Sequence, residues 1–84
     1  MTPGDTLLRL GLPRPARVEL DGLGFPARVD GRPVEAVLGS WIVEEGWWTD
    51  RPVRRRYVET ALEGGRLEVV YEDLVEGGWR SQRT

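Results

Sequence analysis

The chain has 84 residues, 12 basic against 14 acidic, giving a formal charge of −2. That size supports one hydrophobic core, and so a single domain over residues 1–84. Cys and His are both absent, which excludes disulfides, thiolate chemistry, ordinary zinc sites and His-dependent triads, while the acidic balance leaves at most a local basic patch for nucleic acid.

Residues 1–15 read as an N-terminal arm. Asp5-Thr6 before Leu7, Leu8 and Leu10 caps at most one helical turn, which Gly11 and Pro13 end. From Ala16 to Gln82 the pattern is that of an antiparallel sheet. Ala16-Arg17-Val18-Glu19-Leu20 alternates apolar and charged residues, as in a strand with one face on a core. Asp21-Gly22 makes a turn, and Gly24 to Val29 forms a second strand in which Pro26 belongs at an edge or at the start.

Asp30-Gly31 is the clearest hairpin signal. The strand that leaves it, Val34 to Val43, carries Val34, Ala36 and Leu38 on one parity and Trp41 and Val43 on the other. A bulge at Gly39 returns both sets to one core face. After Trp47-Trp48 and the turn Thr49 to Pro52, Arg54 to Leu62 is a strand, with Val58, Thr60 and Leu62 alternating with Tyr57, Glu59 and Ala61. Glu63-Gly64-Gly65 closes a hairpin into Arg66 to Asp73, where Leu67, Val69 and Tyr71 oppose Arg66, Glu68 and Glu72. Leu74 to Gly78 turns, and Trp79 to Gln82 pairs as a last short strand. The expected fold is all-β: five to six short antiparallel strands in a curled sheet or small open barrel.

No residue set suggests a reaction. Glu44-Glu45 and Glu72-Asp73 are the close carboxylate pairs, and strand alternation points the members of each to opposite faces. The glycine pairs lie in turns rather than between a strand and a long helix, so no phosphate cradle is expected. The expectation is therefore a non-enzymatic chain with no cofactor and no metal. No apolar run approaches the ~20 residues that span a bilayer, and the N-terminus lacks a signal-peptide plan, so the expected setting is cytoplasmic, without membrane contact.

Trp47 with Arg51, Arg54 and Arg56 is the candidate binding set. Exposed Trp beside Arg is the composition of a protein-interface hot spot. Aromatic faces beside guanidinium groups also suit single-stranded nucleic acid. Alternation separates Arg55 from Arg54 and Arg56, and Glu44, Glu45, Asp50 and Glu59 are placed to form cross-strand ion pairs with them. It also sends Trp47 and Trp48 opposite ways, leaving one of the two exposed. All twelve basic residues are Arg, which fits the Arg-rich coding of a thermophilic source or a use of planar cations for stacking.

The run Ser40-Trp41-Ile42-Val43-Glu44-Glu45-Gly46-Trp47-Trp48, then Arg51 to Tyr57, Gly64-Gly65-Arg66 through Tyr71-Glu72-Asp73, and Gly78-Trp79, resembles the C-terminal segment of ImuB-type proteins. These are Y-family polymerase relatives of bacterial mutagenic repair. The run is also similar to a family of short stand-alone bacterial proteins. The resemblance covers about Pro33 to Arg83 and rests on the aromatic framework. It implies that Trp41, Trp48, Tyr57, Tyr71 and Trp79 are scaffold positions, with Trp41, Trp48 and Tyr57 as aromatic pins of the core. It also implies an accessory module of a DNA-repair or translesion-synthesis complex, without polymerase activity since palm, fingers and acidic metal motif are lacking. The partner expected is a repair or replication protein, or alternatively single-stranded nucleic acid, and a free sheet edge would also allow a homodimer.

Overall fold

The computed structural model describes residues 13–82. They form seven β-strands and no helix: β1 Arg14–Pro15, β2 Val18–Leu20, β3 Pro26–Val29, β4 Arg32–Glu45, β5 Val53–Leu62, β6 Arg66–Asp73 and β7 Trp79–Gln82. Every neighbouring pair is antiparallel, in the order β1-β7-β6-β5-β4-β3-β2. The sequence placed Arg14 and Pro15 in the arm, whereas they pair with Ser81 and Arg80 as an edge strand. The possible helical turn at Asp5 lies outside the described residues.

The strand order requires the sheet to curl. β1 and β2 sit at opposite ends of the order, yet only Ala16 and Arg17 separate them, and so short a link reaches roughly 10 Å. The two edges must therefore approach each other, and the linker is held on both sides: Ala16 N–H donates to the Trp79 carbonyl at 3.1 Å, and Asp30 N–H to the Arg17 carbonyl at 2.7 Å. The result is a half-barrel whose inner face carries Val29, Val58, Leu62 and Val70, each without accessible surface. Val18, Phe25, Val34 and Trp79 pack around them.

Turn chemistry fixes the register. Asp30 (φ 49°) and Gly31 (φ 83°) both take the left-handed conformation that a two-residue hairpin demands. The long strand β4 bends through two irregularities, with Glu35 and Leu38 as extra residues between Val34 and Ala36 and between Val37 and Gly39. The bulge beside Gly39 is the one expected, and Glu35 adds a second. Together they turn β4 from its short pairing with β3 into its long pairing with β5, as bulges do at barrel corners. The expected single core face is not formed: the bulge at Glu35 leaves Val34 opposite Leu62 on the inner face, Leu38 is itself a bulge residue, and Ala36, Trp41 and Val43 pair with Ala61, Tyr57 and Arg55 on the outer side of the sheet.

β6 is inverted relative to its hydrophobic pattern. The Glu63-Gly64-Gly65 turn pairs Leu62 with Arg66, which carries Glu68 opposite Thr60 and Val70 opposite Val58 on the inner face. Leu67 is consequently 65% exposed while Glu68 is buried. The carboxylate is tolerated because Ser81 Oγ donates to Glu68 Oε1 at 2.7 Å and Arg14 Nη2 lies 3.9 Å from it. Thr60 Oγ1 donates to the Glu68 carbonyl at 2.7 Å, so the buried hydroxyls are paired as burial requires.

Two leucines in facing strands separate this arrangement from the one that β6 alternation suggests. Leu62→Ala should cost about 2–5 kcal/mol through lost burial and a cavity, and Leu67→Ala no more than about 0.5 kcal/mol. Urea unfolding of both variants measures the difference, and comparable losses would contradict the inner-face assignment.

Candidate interaction surface

The turn between β4 and β5 carries the two adjacent tryptophans. Gly46 (φ 62°) opens it, and a Cβ at that position would lie 3.2 Å from Thr49 Oγ1. The turn is closed by Thr49 N–H and Oγ1 donating to the Gly46 carbonyl at 2.9 and 2.7 Å, and by Arg51 N–H donating to Thr49 Oγ1 at 3.2 Å. Trp47 and Trp48 are 75% and 72% exposed and meet edge to face, with centroids 5.4 Å apart at 88°. Both are therefore outside the core. The reading of Trp48 as a core pin, with one of the pair buried, is corrected: the residues lie in a turn, where strand alternation does not operate; Trp41, also expected as a core pin, is 42% exposed on the outer face of the sheet.

The three consecutive arginines of β5 take three different environments. Arg54 is exposed and pairs with Glu44 across the strands at 3.3 Å, one of the ion pairs expected. Arg56 points to the inner side, where Nη2 donates to the Gly24 carbonyl at 2.9 Å and lies 3.4 Å from Glu72 Oε1. Its guanidinium sits 5.3 Å from the Trp79 ring centroid and 5.9 Å from that of Phe25. Arg56 thus joins the β2–β3 loop to the sheet and is not displayed with Trp47. Arg51 is exposed at the turn and has no ion pair among the described residues. Of the candidate set, Trp47, Arg51 and Arg54 share the rim of the β4–β5 hairpin, and Arg56 is part of the framework.

Arg55 faces outward, as alternation required, into a row of aromatic rings not singled out as a unit in the sequence. Trp41, Tyr57, Tyr71 and Arg80 pair in register across β4, β5, β6 and β7. Trp41 and Tyr57 stack with centroids 5.5 Å apart at 3°, and Tyr57 meets Tyr71 at 5.1 Å and 36°. The Arg55 guanidinium lies 4.6 Å from the Tyr71 centroid and donates to Tyr57 Oη at 3.4 Å. That hydrogen bond is the main cause of a pKa raised above the ordinary Arg value. Tyr71 is only 2% exposed although it lies on the outer face, so the row forms a second small packed layer. Counting pairs back from the Gly64-Gly65 hairpin would have revealed it.

An open groove of about 480 Å³ lies beneath the rim, lined by Asp50, Arg51, Arg55, Asp73 and Glu76 among others. Three carboxylates against two guanidinium groups make it a poor cradle for phosphate. Asp73 has a structural task, since its Oδ1 accepts the N–H groups of Val75 and Glu76, each at 2.9 Å. Among the described residues no three His, Cys, Asp or Glu side chains group as metal ligands, and no helix is long and apolar enough to cross a membrane. Comparison with protein families, with curated proteins and with solved structures finds no match to the chain.

Two expectations follow for these side chains. Arg56→Ala should destabilise by about 2–4 kcal/mol, because Glu72 loses its partly buried partner and the β2–β3 loop its anchor, whereas exposed Arg51→Ala should change stability by no more than about 0.5 kcal/mol; thermal or urea unfolding reads both. The backbone N–H groups of Glu76 and Val75, and to a lesser degree Arg55 and Arg80, hold the Asp73 carboxyl below the usual aspartate range. A folded-state pKa below the unfolded one stabilises the fold above the ordinary aspartate pKa, and that contribution disappears as pH falls through the folded value. Asp73→Asn should therefore be less stable than the native chain at neutral pH and show a smaller loss on acidification, measured as unfolding midpoint against pH.

Proposed function

We propose that the domain is a non-catalytic interaction module that docks on a protein partner through the β4–β5 rim. The observation that carries this reading is the pair Trp47 and Trp48, both about three-quarters exposed and in edge-to-face contact at the tip of the hairpin. Covering such rings supplies much of the energy of a protein interface. Arg51 and Arg54 beside them provide a polar margin, with Glu44 already holding Arg54 in place. The resemblance of the aromatic framework to the C-terminal segment of ImuB-type proteins favours a repair or replication protein as that partner, with the domain as an accessory of a translesion or other DNA-repair complex.

Single-stranded nucleic acid is the second reading, favoured by the same exposed rings beside Arg51. The charge of the groove weighs against it, as does the engagement of Arg54 and Arg56 with carboxylates.

Affinity purification from the native organism with the intact chain and with Trp47→Ala tests the first reading. A DNA-transaction protein should be recovered with the former and reduced at least about tenfold with the latter, as for loss of a hot-spot aromatic residue. Recovery of no such protein, or equal recovery with both chains, would overturn it. Tryptophan fluorescence titrated with oligonucleotide separates the second reading, which requires quenching at low salt that reverses as salt is added.

A further inference from the structure

We infer that the free edge of β4, from Gly39 to Val43, is a homodimer interface in which a second copy of the chain pairs antiparallel about Trp41. β4 is fourteen residues long, but β3 pairs only with Arg32 and Pro33. Beyond them, one side of β4 is bonded to β5 as far as Glu45, and the other side has no strand partner among the described residues. Such an edge offers a row of backbone donors and acceptors to any extended strand. The segment Gly39-Ser40-Trp41-Ile42-Val43 is uncharged, and it lacks the Pro and inward-pointing charge by which edges are commonly protected.

The occupant is indicated by Trp41. Its ring is the last of the stacked row, with one face against Tyr57 and the side chain 42% exposed. Parallel stacking of Trp41 on Tyr57 of the neighbouring strand turns the opposite face of the Trp41 ring toward the other side of β4. A two-fold axis between Trp41 and its copy would place an identical ring there and continue the row from one chain to the next. Residues equidistant from the axis would then oppose each other: Ser40 with Ile42, Gly39 with Val43, and Leu38 with Glu44. No carboxylate would meet a carboxylate, whereas parallel self-pairing would set Glu44 and Glu45 against their copies. Glu44 is already neutralised by Arg54 at 3.3 Å. An added Cβ at Gly39 would have no atom within 4 Å, which leaves room for Val43 of the copy. Isologous two-fold contacts of this kind are the commonest mode of assembly, since one self-complementary patch is satisfied twice.

The inference goes beyond the docking role of the rim, because the paired stretch ends before Gly46 and does not use Trp47. Sedimentation of the intact chain alone through the micromolar range should give twice the 9.5 kDa chain mass. Trp41→Glu and Trp41→Arg should each be at least about tenfold weaker in self-association, because each sets like charges across the axis. An equimolar mixture of the two variants should recover the dimer. Circular dichroism and the unfolding midpoint establish that each variant is folded; if either is not, Trp41→Ala takes its place and should also weaken the dimer. A native chain that stays monomeric throughout, as it would with a foreign strand or residues 1–12 as the true occupant of the edge, overturns the inference. So does a dimer that none of these substitutions weakens. Trp47→Ala should leave the dimer intact, so the result is independent of partner docking at the rim.

Discussion

One guanidinium group connects the two parts of the fold. Arg56 rises from the middle of β5, donates to the Gly24 carbonyl in the β2–β3 loop and pairs with Glu72 on β6. Its plane lies near the rings of Trp79 and Phe25. The curl of the sheet depends on holding the β2–β3 hairpin against the inner face, where Val29 completes the cluster of Val58, Leu62 and Val70. A lysine would supply a point charge without the plane, and so would not reproduce the polar contacts and the approach to two aromatic rings together. The Nε of Arg56 remains buried without a partner, a cost offset by what the rest of the group engages.

A chain of this length buries too little apolar surface to waste any, and here the packing is divided between the two faces of the sheet. Aliphatic side chains fill the concave side around a small polar set, Thr60, Glu68 and Ser81. Phe25 and Trp79 border that cluster, and a second aromatic set stands on the convex side, where Trp41, Tyr57 and Tyr71 are in contact and Arg55 covers the last of them. A guanidinium over an aromatic face excludes water from it while keeping its own charge partly solvated. The abundance of Arg in the chain thus has a structural use at two positions, Arg55 and Arg56. Neither is displayed with the exposed tryptophans at the tip of the β4–β5 hairpin.

The surfaces proposed for recognition are consequently separate from the interiors of these packed layers. The rim at Trp47 and Trp48 is held by a tight turn that needs glycine at Gly46, and its rings contact chiefly each other. The edge of β4 that has no strand partner among the described residues is a backbone surface bounded on one face by the end of the aromatic row. As proposed, the two surfaces suit different occupants, a pocket that receives aromatic rings and a strand of a second copy, so occupation of one would not preclude the other.

Much of the fold was legible in the sequence, because strand alternation and turn chemistry are local. Asp30-Gly31 and Gly64-Gly65 marked real hairpins, the irregularity beside Gly39 lies where two parities of apolar residues meet, and alternation separated Arg55 from its neighbours. Period-two patterning sorts residues into two sets without saying which set is covered. That choice was made by cross-strand register and by the curl: Leu62 opposite Arg66 carries Glu68 inward and Leu67 outward, against the hydrophobicity of β6 taken alone. The fates of Trp48 and Arg56 were likewise tertiary, since one lies in a turn that leaves the sheet and the other meets Gly24, thirty-two residues away in the chain. The sequence by itself determined an all-β chain, its hairpins and its inventory of Arg and Trp. Only the tertiary arrangement, through cross-strand register and the closed path from β1 through the linker to β2, decided which of those side chains were covered by the fold and which remained exposed.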